Sequence, residues 1–131
     1  MRLLPDTSAY SAAARDHSPI KQALRLADEI HVSPIVLGEL KSGFRSGGRR
    51  QQNEAHLQKF LESPRISLLR IDEETAERYA EILAGLRAGG TPLPTNDIWI
   101  AASAMQHGLR IVTTDGHFRL IPQILADCYE V

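Results

Sequence analysis

The chain has 131 residues, enough for one domain with a hydrophobic core, and 43% of them are hydrophobic and 24% charged, which excludes a disordered protein. The formal net charge of −1 excludes a global basic field, so contact with nucleic acid would need a local basic patch. The single cysteine, Cys128, excludes an internal disulfide. No apolar run approaches the roughly 18 residues that span a bilayer, and the start is too polar for a signal peptide, so we expect a cytoplasmic protein without membrane contact.

In the first half of the chain, short apolar runs alternate with helical patterns. Leu3-Leu4 predicts a buried strand that ends at Asp6, although Pro5 lacks the N–H group that a strand ladder uses. Thr7 or Ser8 is then expected to cap the next helix, because hydroxyl side chains accept the free N–H groups of a first turn. The patterns of this half predict helices over 9–14, 19–27, 34–44 and 52–62, strands over 29–33 and 66–69, and a loop over 45–50.

The second half contains the stretch with the strongest signals. Pro94 prevents helix before it, and Thr95 or Asn96 is expected to cap the helix that follows, so Asp97 falls in the first helical turn. A carboxylate is favoured there by the positive end of the helix dipole. The remaining patterns predict a helix from 73 to about 87 capped by Asp72, a strand over 110–114, a turn at 115–116, a short helix within 118–125 and an edge strand over 128–131.

This alternation of strands and helices predicts an α/β fold, a single domain over residues 1–131 whose parallel sheet is covered on both faces. Ligands in such folds bind beyond the carboxyl ends of the strands. Asp6 and Asp115 follow predicted strands, and Asp97 begins a helix at the same edge. Glu39 lies about one and a half turns into the helix that leaves the second strand. We therefore expect four carboxylates at one rim.

Four carboxylates at close range repel one another unless a cation neutralises them. Hard oxygen donors, without cysteine or a close pair of histidines, favour Mg²⁺ or Mn²⁺ over zinc. Such an ion keeps waters and takes phosphate oxygens as ligands, which suits phosphodiester hydrolysis. Taken singly, each acid is also explained as a turn former or a solvated helix residue, so the prediction depends on all four meeting.

Four segments carry a resemblance to a known family: Asp6-Thr7-Ser8, Gly38-Glu39-Leu40, the run from Thr95 to Ala102, and the run from Thr113 to Phe118. Together they resemble the PIN-domain family, and more narrowly the VapC-type toxins of toxin–antitoxin pairs, over essentially the whole chain. The resemblance implies a three-layer α/β/α sandwich with a central parallel sheet and a Mg²⁺- or Mn²⁺-dependent endoribonuclease. The family's acidic quartet falls on Asp6, Glu39, Asp97 and Asp115.

The resemblance also implies a homodimer, transfer or ribosomal RNA as the substrate, and a small antitoxin whose tail fills the acidic groove. We expect Asp6 and Asp97 to be the main metal ligands and Asp115 to complete the site. Glu39 would orient or deprotonate the attacking water, or hold a second ion. The hydroxyl groups expected to hydrogen-bond these carboxylates are those of Thr7, Ser8, Thr113 and Thr114.

A local basic group could meet RNA phosphates or acidic groups of the antitoxin. An equally open interpretation is a solvated, flexible loop, because basic runs often only solvate a surface. Trp99 could stack on a base, but between two isoleucines it more often packs within the domain or across a dimer. The basic group comprises Lys41, Arg45, Arg49 and Arg50.

Two other functions remain open at this point. A receiver or phosphatase-like domain also places acids at strand ends, but it needs a lysine near the final strand. The three lysines, Lys21, Lys41 and Lys59, all lie far from Asp97 and Asp115 in the sequence. A PIN-like module that binds RNA or protein without cutting it is the second alternative, and the complete quartet argues against it.

Overall fold

The computed structural model describes residues 1–131 and contains five strands and six α-helices. No helix combines the length and apolar character that a membrane crossing requires. The strands are β1 (Arg2–Pro5), β2 (Glu29–Val32), β3 (Ile66–Leu68), β4 (Arg110–Thr113) and β5 (Leu125–Cys128). The helices are α1 (Thr7–Ala14), α2 (Ser18–Leu26), α3 (Pro34–Ser46), α4 (Arg50–Leu61), α5 (Glu73–Ala88) and α6 (Thr95–His107), and a 3₁₀-helix covers Gly116–Leu120.

The five strands form one parallel sheet in the order β3-β2-β1-β4-β5, so the first strand lies at its centre. In this strand Leu3 pairs with Ile30 of β2 and Leu4 with Ile111 of β4. The short run Leu3-Leu4 suffices as a strand because both of its edges are paired and both of its faces are covered.

Successive side chains of a strand point to opposite faces, and the two leucines show how the layers are built. Leu3 belongs to a cluster with buried residues of α1 and α2, such as Ile20. Leu4 belongs to a larger cluster with α5 and α6, such as Ile82 and Ile98, to which α3 and α4 also contribute. The protein is therefore the three-layer α/β/α sandwich that the resemblance implied.

The connections leave the central strand in opposite directions, because β2 lies on one side of β1 and β4 on the other. This is the switch point at which parallel α/β folds bind ligands. Pro5 is the last residue of β1, where its missing N–H is tolerated, and the next N–H, that of Asp6, bonds the Val112 carbonyl at 3.0 Å. Asp6, the residue that follows β1, therefore lies at the switch point.

Several predicted boundaries were wrong. Asp6, not Thr7 or Ser8, is the N-cap of α1, and Pro94, not Thr95 or Asn96, occupies the cap position of α6. The predicted edge strand began at Cys128. In the structure β5 ends at this residue, and Leu125 to Cys128 pair with β4. The predicted loop over 45–50 is shorter, because α3 continues to Ser46 and α4 begins at Arg50.

Candidate metal centre

Asp6 is buried at the carboxyl end of the central strand, with 5% of its surface exposed. Its Oδ1 accepts hydrogen bonds from the Ser8 hydroxyl at 2.6 Å and the Ala9 backbone N–H at 2.9 Å, and its Oδ2 accepts one from the Thr113 hydroxyl at 2.6 Å. Burial raises the pKa of Asp6, and these three donors oppose the rise because they favour the charged form. The carboxylate is therefore held in one orientation.

Thr113 links the acid of β1 to the acid that follows β4. Its buried hydroxyl donates to Asp6 and accepts a hydrogen bond from the Asp115 backbone N–H at 2.9 Å. Asp115 in turn caps the 3₁₀-helix, since its Oδ1 accepts from the His117 backbone N–H at 2.9 Å. Thr114 contributes its backbone N–H, which donates to the Ser8 hydroxyl at 3.0 Å, and not its own hydroxyl.

Glu39 is held by two other helices. The Thr7 hydroxyl of α1 donates to Oε1 at 2.6 Å, and the Asn96 amide of α6 donates to Oε2 at 3.3 Å. Glu39 and Asn96 also line an open surface groove of about 640 Å³ whose floor includes Gly38 and Gly43. The carboxylate of Glu39 is thus oriented beside an open groove, where a long substrate can approach it.

The pKa of Asp97 indicates that the four acids lie close enough to influence one another. This residue is partly buried in the first turn of α6. Burial, together with the negative charges of Asp115, Asp6 and Glu39, raises the pKa of Asp97 to about 6, while His117 opposes the rise. Because each of the other three carboxylates acts on Asp97, the structure brings together acids from four distant segments at the switch point.

The tightest group within this pocket differs from the expected one. One ligand atom from each of Asp97, Asp115 and His117 lies within 4.8 Å of the others, and Asp6 is not part of that group. The Nδ1 atom of His117 lies 3.1 Å from Oδ1 of Asp115. The sequence had suggested Asp6 and Asp97 as the main ligands and had assigned no histidine.

The donor set fits a divalent cation. No lysine or arginine forms an ion pair with any of the four acids, and His117 is the only basic side chain within ion-pair distance of one of them. The carboxylates therefore lack a fixed counter-charge, and their mutual repulsion adds to the effect of burial in raising the pKa of Asp97. Carboxylate oxygens are the ligands that Mg²⁺ and Mn²⁺ prefer.

The predicted basic group lies beyond the acids along α3. Lys41 donates to Glu54 of α4 at 2.7 Å, so its charge is already paired at the surface. Arg45, Arg49 and Arg50 are exposed at the end of α3 and the start of α4 and form no ion pair. Arg45 is six residues after Glu39, about 9 Å farther along the helix axis. These arginines do not contact the acids.

Sequence reasoning assigned no role to two residues of the site. Asn96 was considered only as a helix cap, and its side chain instead holds Glu39, 57 residues away in the sequence. His117 was set aside because no second histidine lies at zinc-ligand spacing, although its position two residues after Asp115 was a usable signal. Trp99 stacks on Tyr79 with ring centroids 4.2 Å apart, which is the packing role favoured by its neighbours.

The fold and the site define a class, a parallel α/β/α protein with a carboxylate pocket at its switch point. The sequence model of the PIN domain matches residues 3–123. The chain belongs to the PIN-domain family and, by its relatives, to the VapC-type toxins within that family.

Three relatives illustrate this relationship. Ribonuclease VapC4 of Mycobacterium tuberculosis is 33% identical over 124 residues, which cover 94% of this chain and 93% of that protein. The structure of VapBC2 from Rickettsia felis, bound to a DNA fragment from its promoter, superposes with a TM-score of 0.88 at 25% identity, over 99% of this chain and 100% of that chain. DNA-bound VapBC from Salmonella typhimurium gives a TM-score of 0.85 at 27% identity over 97% of each chain.

Proposed function

We infer that this chain is the toxin endoribonuclease of a toxin–antitoxin pair and that it hydrolyses RNA phosphodiester bonds at the carboxylate pocket. The relatives named as ribonucleases and the VapBC structures support the toxin function. The observation that supports the chemistry is Asp97, whose pKa is raised to about 6 by burial and by three other carboxylates. A pocket with this much unbalanced negative charge is suited to a divalent cation.

Asp6, Asp97 and Asp115 are proposed to hold Mg²⁺ or Mn²⁺. A bound ion would lower the pKa of a water and offset the charge on the phosphate. The chain's own residues prepare the pocket for this ion, because Ser8 and Thr113 keep Asp6 fixed through hydrogen bonds of 2.6 Å. Such partners raise the precision and affinity of a metal site.

Glu39 is proposed to orient the attacking water and to accept its proton. Thr7 and Asn96 each donate to a different oxygen of Glu39, so the carboxylate has one orientation toward the pocket. Each oxygen keeps a further lone pair that can accept a hydrogen bond from water. The open groove beside Glu39 leaves room for the RNA strand that carries the scissile phosphate.

The partners follow from the same inference. The substrate is RNA in the cytoplasm, with transfer or ribosomal RNA as the expected class, and the toxin acts as a homodimer. The inhibitor is a small antitoxin, as in the VapBC assemblies that the structure resembles. Exposed Arg45, Arg49 and Arg50 supply unpaired positive charge for either polyanionic RNA or acidic groups of the antitoxin.

The test is RNA cleavage by the purified chain, with total RNA as the substrate and Mg²⁺ or Mn²⁺ as the added ion. We expect products with a 5′-phosphate and a 3′-hydroxyl, no cleavage in excess chelator, and loss of at least about 100-fold in the rate for Asp97→Asn. Asp28→Asn, at an exposed acid far from the pocket, is the matched control. Products with a 2′,3′-cyclic phosphate, or full activity of Asp97→Asn, would contradict the proposal. RNA binding without cleavage would instead identify the chain as a catalytically silent binding module.

A further inference from the structure

His117 is a member of the acidic pocket that the proposed function does not use. It lies in the first turn of the 3₁₀-helix that Asp115 caps, and 60% of its side chain is exposed. One ligand atom from each of His117, Asp97 and Asp115 lies within 4.8 Å of the others. Ligands of one ion lie about 3 to 4 Å apart when each bond is near 2.1 Å, so a small rotation of the exposed imidazole closes the group.

Asp115 lies next to this imidazole. Its Oδ1 lies 3.1 Å from Nδ1 of His117 and also accepts the backbone N–H of the same residue at 2.9 Å. A neutral imidazole carries a free lone pair on one of its two ring nitrogens, and that nitrogen can bind a metal ion.

Asp115 retains an oxygen for the same ion. Its Oδ2 accepts no hydrogen bond, because both contacts with His117 use Oδ1. No other histidine lies in this group. The pocket therefore offers one nitrogen among oxygens, which differs from the ligand set of carboxylates alone that the sequence suggested.

We propose that a ring nitrogen of His117 is a ligand of the divalent cation and that this nitrogen makes the site prefer Mn²⁺ to Mg²⁺. The proposal rests on the metal centre described under the proposed function. Mg²⁺ takes oxygen ligands and keeps its waters, whereas imidazole suits transition metals, whose affinity for nitrogen exceeds that of magnesium. If His117 only contacted Asp115 without binding the ion, its loss would weaken the binding of both ions to the same extent.

The experiment measures binding of Mn²⁺ alone and of Mg²⁺ alone to the full chain by calorimetry, without RNA. In His117→Gln the amide replaces the nitrogen by an oxygen, so we expect Mn²⁺ affinity to fall about tenfold and Mg²⁺ affinity to stay within about twofold. His56→Gln is the control, since His56 is an exposed histidine on α4. Melting curves without metal establish that both variants fold.

A spectroscopic readout separates direct ligation from a hydrogen bond. Spin-echo electron paramagnetic resonance of bound Mn²⁺ should show modulation from a coordinated ¹⁴N nucleus in the wild type and in His56→Gln, and none in His117→Gln. Mn²⁺ that binds without this modulation, or an equal loss of both ions in His117→Gln, would overturn the histidine ligand and leave the metal centre standing. Absence of any binding of either ion to the wild type would overturn the metal centre and this inference together.

Discussion

The Thr113 hydroxyl donates a hydrogen bond to Oδ2 of Asp6 at 2.6 Å. This bond joins the end of β4 to the residue that follows β1, its neighbour in the sheet. Both residues are buried, and the same hydroxyl accepts the Asp115 backbone N–H. One small side chain therefore fixes the positions of two of the four acids. These two residues connect the acidic pocket to the buried core of the sheet.

Thr113→Val should damage both stability and cleavage, because valine has the shape of threonine without its hydroxyl. Asp6 loses a donor and the Asp115 N–H loses an acceptor, so we expect the free energy of unfolding in urea to fall by about 1 to 3 kcal/mol without metal. Thr114→Val is the matched control, since the Thr114 hydroxyl makes no hydrogen bond. Equal behaviour of the two variants would show that the hydroxyl of Thr113 does not support the site.

Asp97→Asn should stabilise the metal-free protein at neutral pH. The folded state raises the pKa of Asp97 from 3.8 to about 6, so the unfolded chain loses this proton first as the pH rises. Stability contributed by protonated Asp97 is then lost between pH 4 and 6. After allowance for solvent screening and a lost helix-dipole contact, we expect the variant to gain about 1 to 2 kcal/mol above pH 6.

The measurement for Asp97→Asn is urea unfolding of both proteins in chelator at a series of pH values. The difference between the two curves should grow from about pH 4 and level off above about pH 6, because the wild type has then lost the proton in both states. Added Mn²⁺ should reverse the order, since a ligand that binds only the folded wild type stabilises it by about 2.7 kcal/mol at 100 times its dissociation constant. A difference independent of pH would contradict the raised pKa.

Thr7→Val should slow cleavage with little effect on folding. The Thr7 hydroxyl orients Glu39 at 2.6 Å, and the remaining donor, Asn96, lies farther away at 3.3 Å. We expect kcat to fall about tenfold in single-turnover cleavage of an RNA oligonucleotide, with KM unchanged, because the loss concerns orientation and not binding. Thr91→Val, at a hydroxyl that bonds only the Gly89 carbonyl, provides the comparison. A change in KM alone would instead indicate that Thr7 contacts RNA.

The side chains of Trp99 and Tyr79 should stabilise the fold jointly and should not contribute to RNA affinity. Their rings stack with centroids 4.2 Å apart and planes inclined by 27°, which joins α5 to α6. A double-mutant cycle with Trp99→Leu and Tyr79→Leu should give a coupling free energy of about 0.5 to 1.5 kcal/mol in denaturant unfolding. Weaker RNA binding by a folded Trp99→Leu variant would favour the alternative in which this ring stacks on a base.

Much of the fold was predictable from local patterns. Short predicted strands that alternate with helices indicated a parallel sheet, and that prediction is confirmed by the order β3-β2-β1-β4-β5. Local patterns also predicted that Asp97 lies in a first helical turn, because a helix does not extend through Pro94 toward the N-terminus. The predicted cap of α1 was wrong because Asp6, Thr7 and Ser8 are all capping residues, and only the pairing of β1 decides which of them occupies that position.

The sequence by itself determined the order of the strands and helices and the placement of four acids at the carboxyl edge of the sheet, because these depend on backbone rules that act over a few residues. Only the tertiary structure decided how the acids are held. Thr7 meets Glu39 across 32 residues, Asn96 meets it across 57, and Thr113 meets Asp6 across 107. The two contacts of Glu39 arise from helix packing, and the contact of Asp6 arises from the pairing of β1 with β4. A hydrogen bond at these separations leaves no periodic pattern in the sequence.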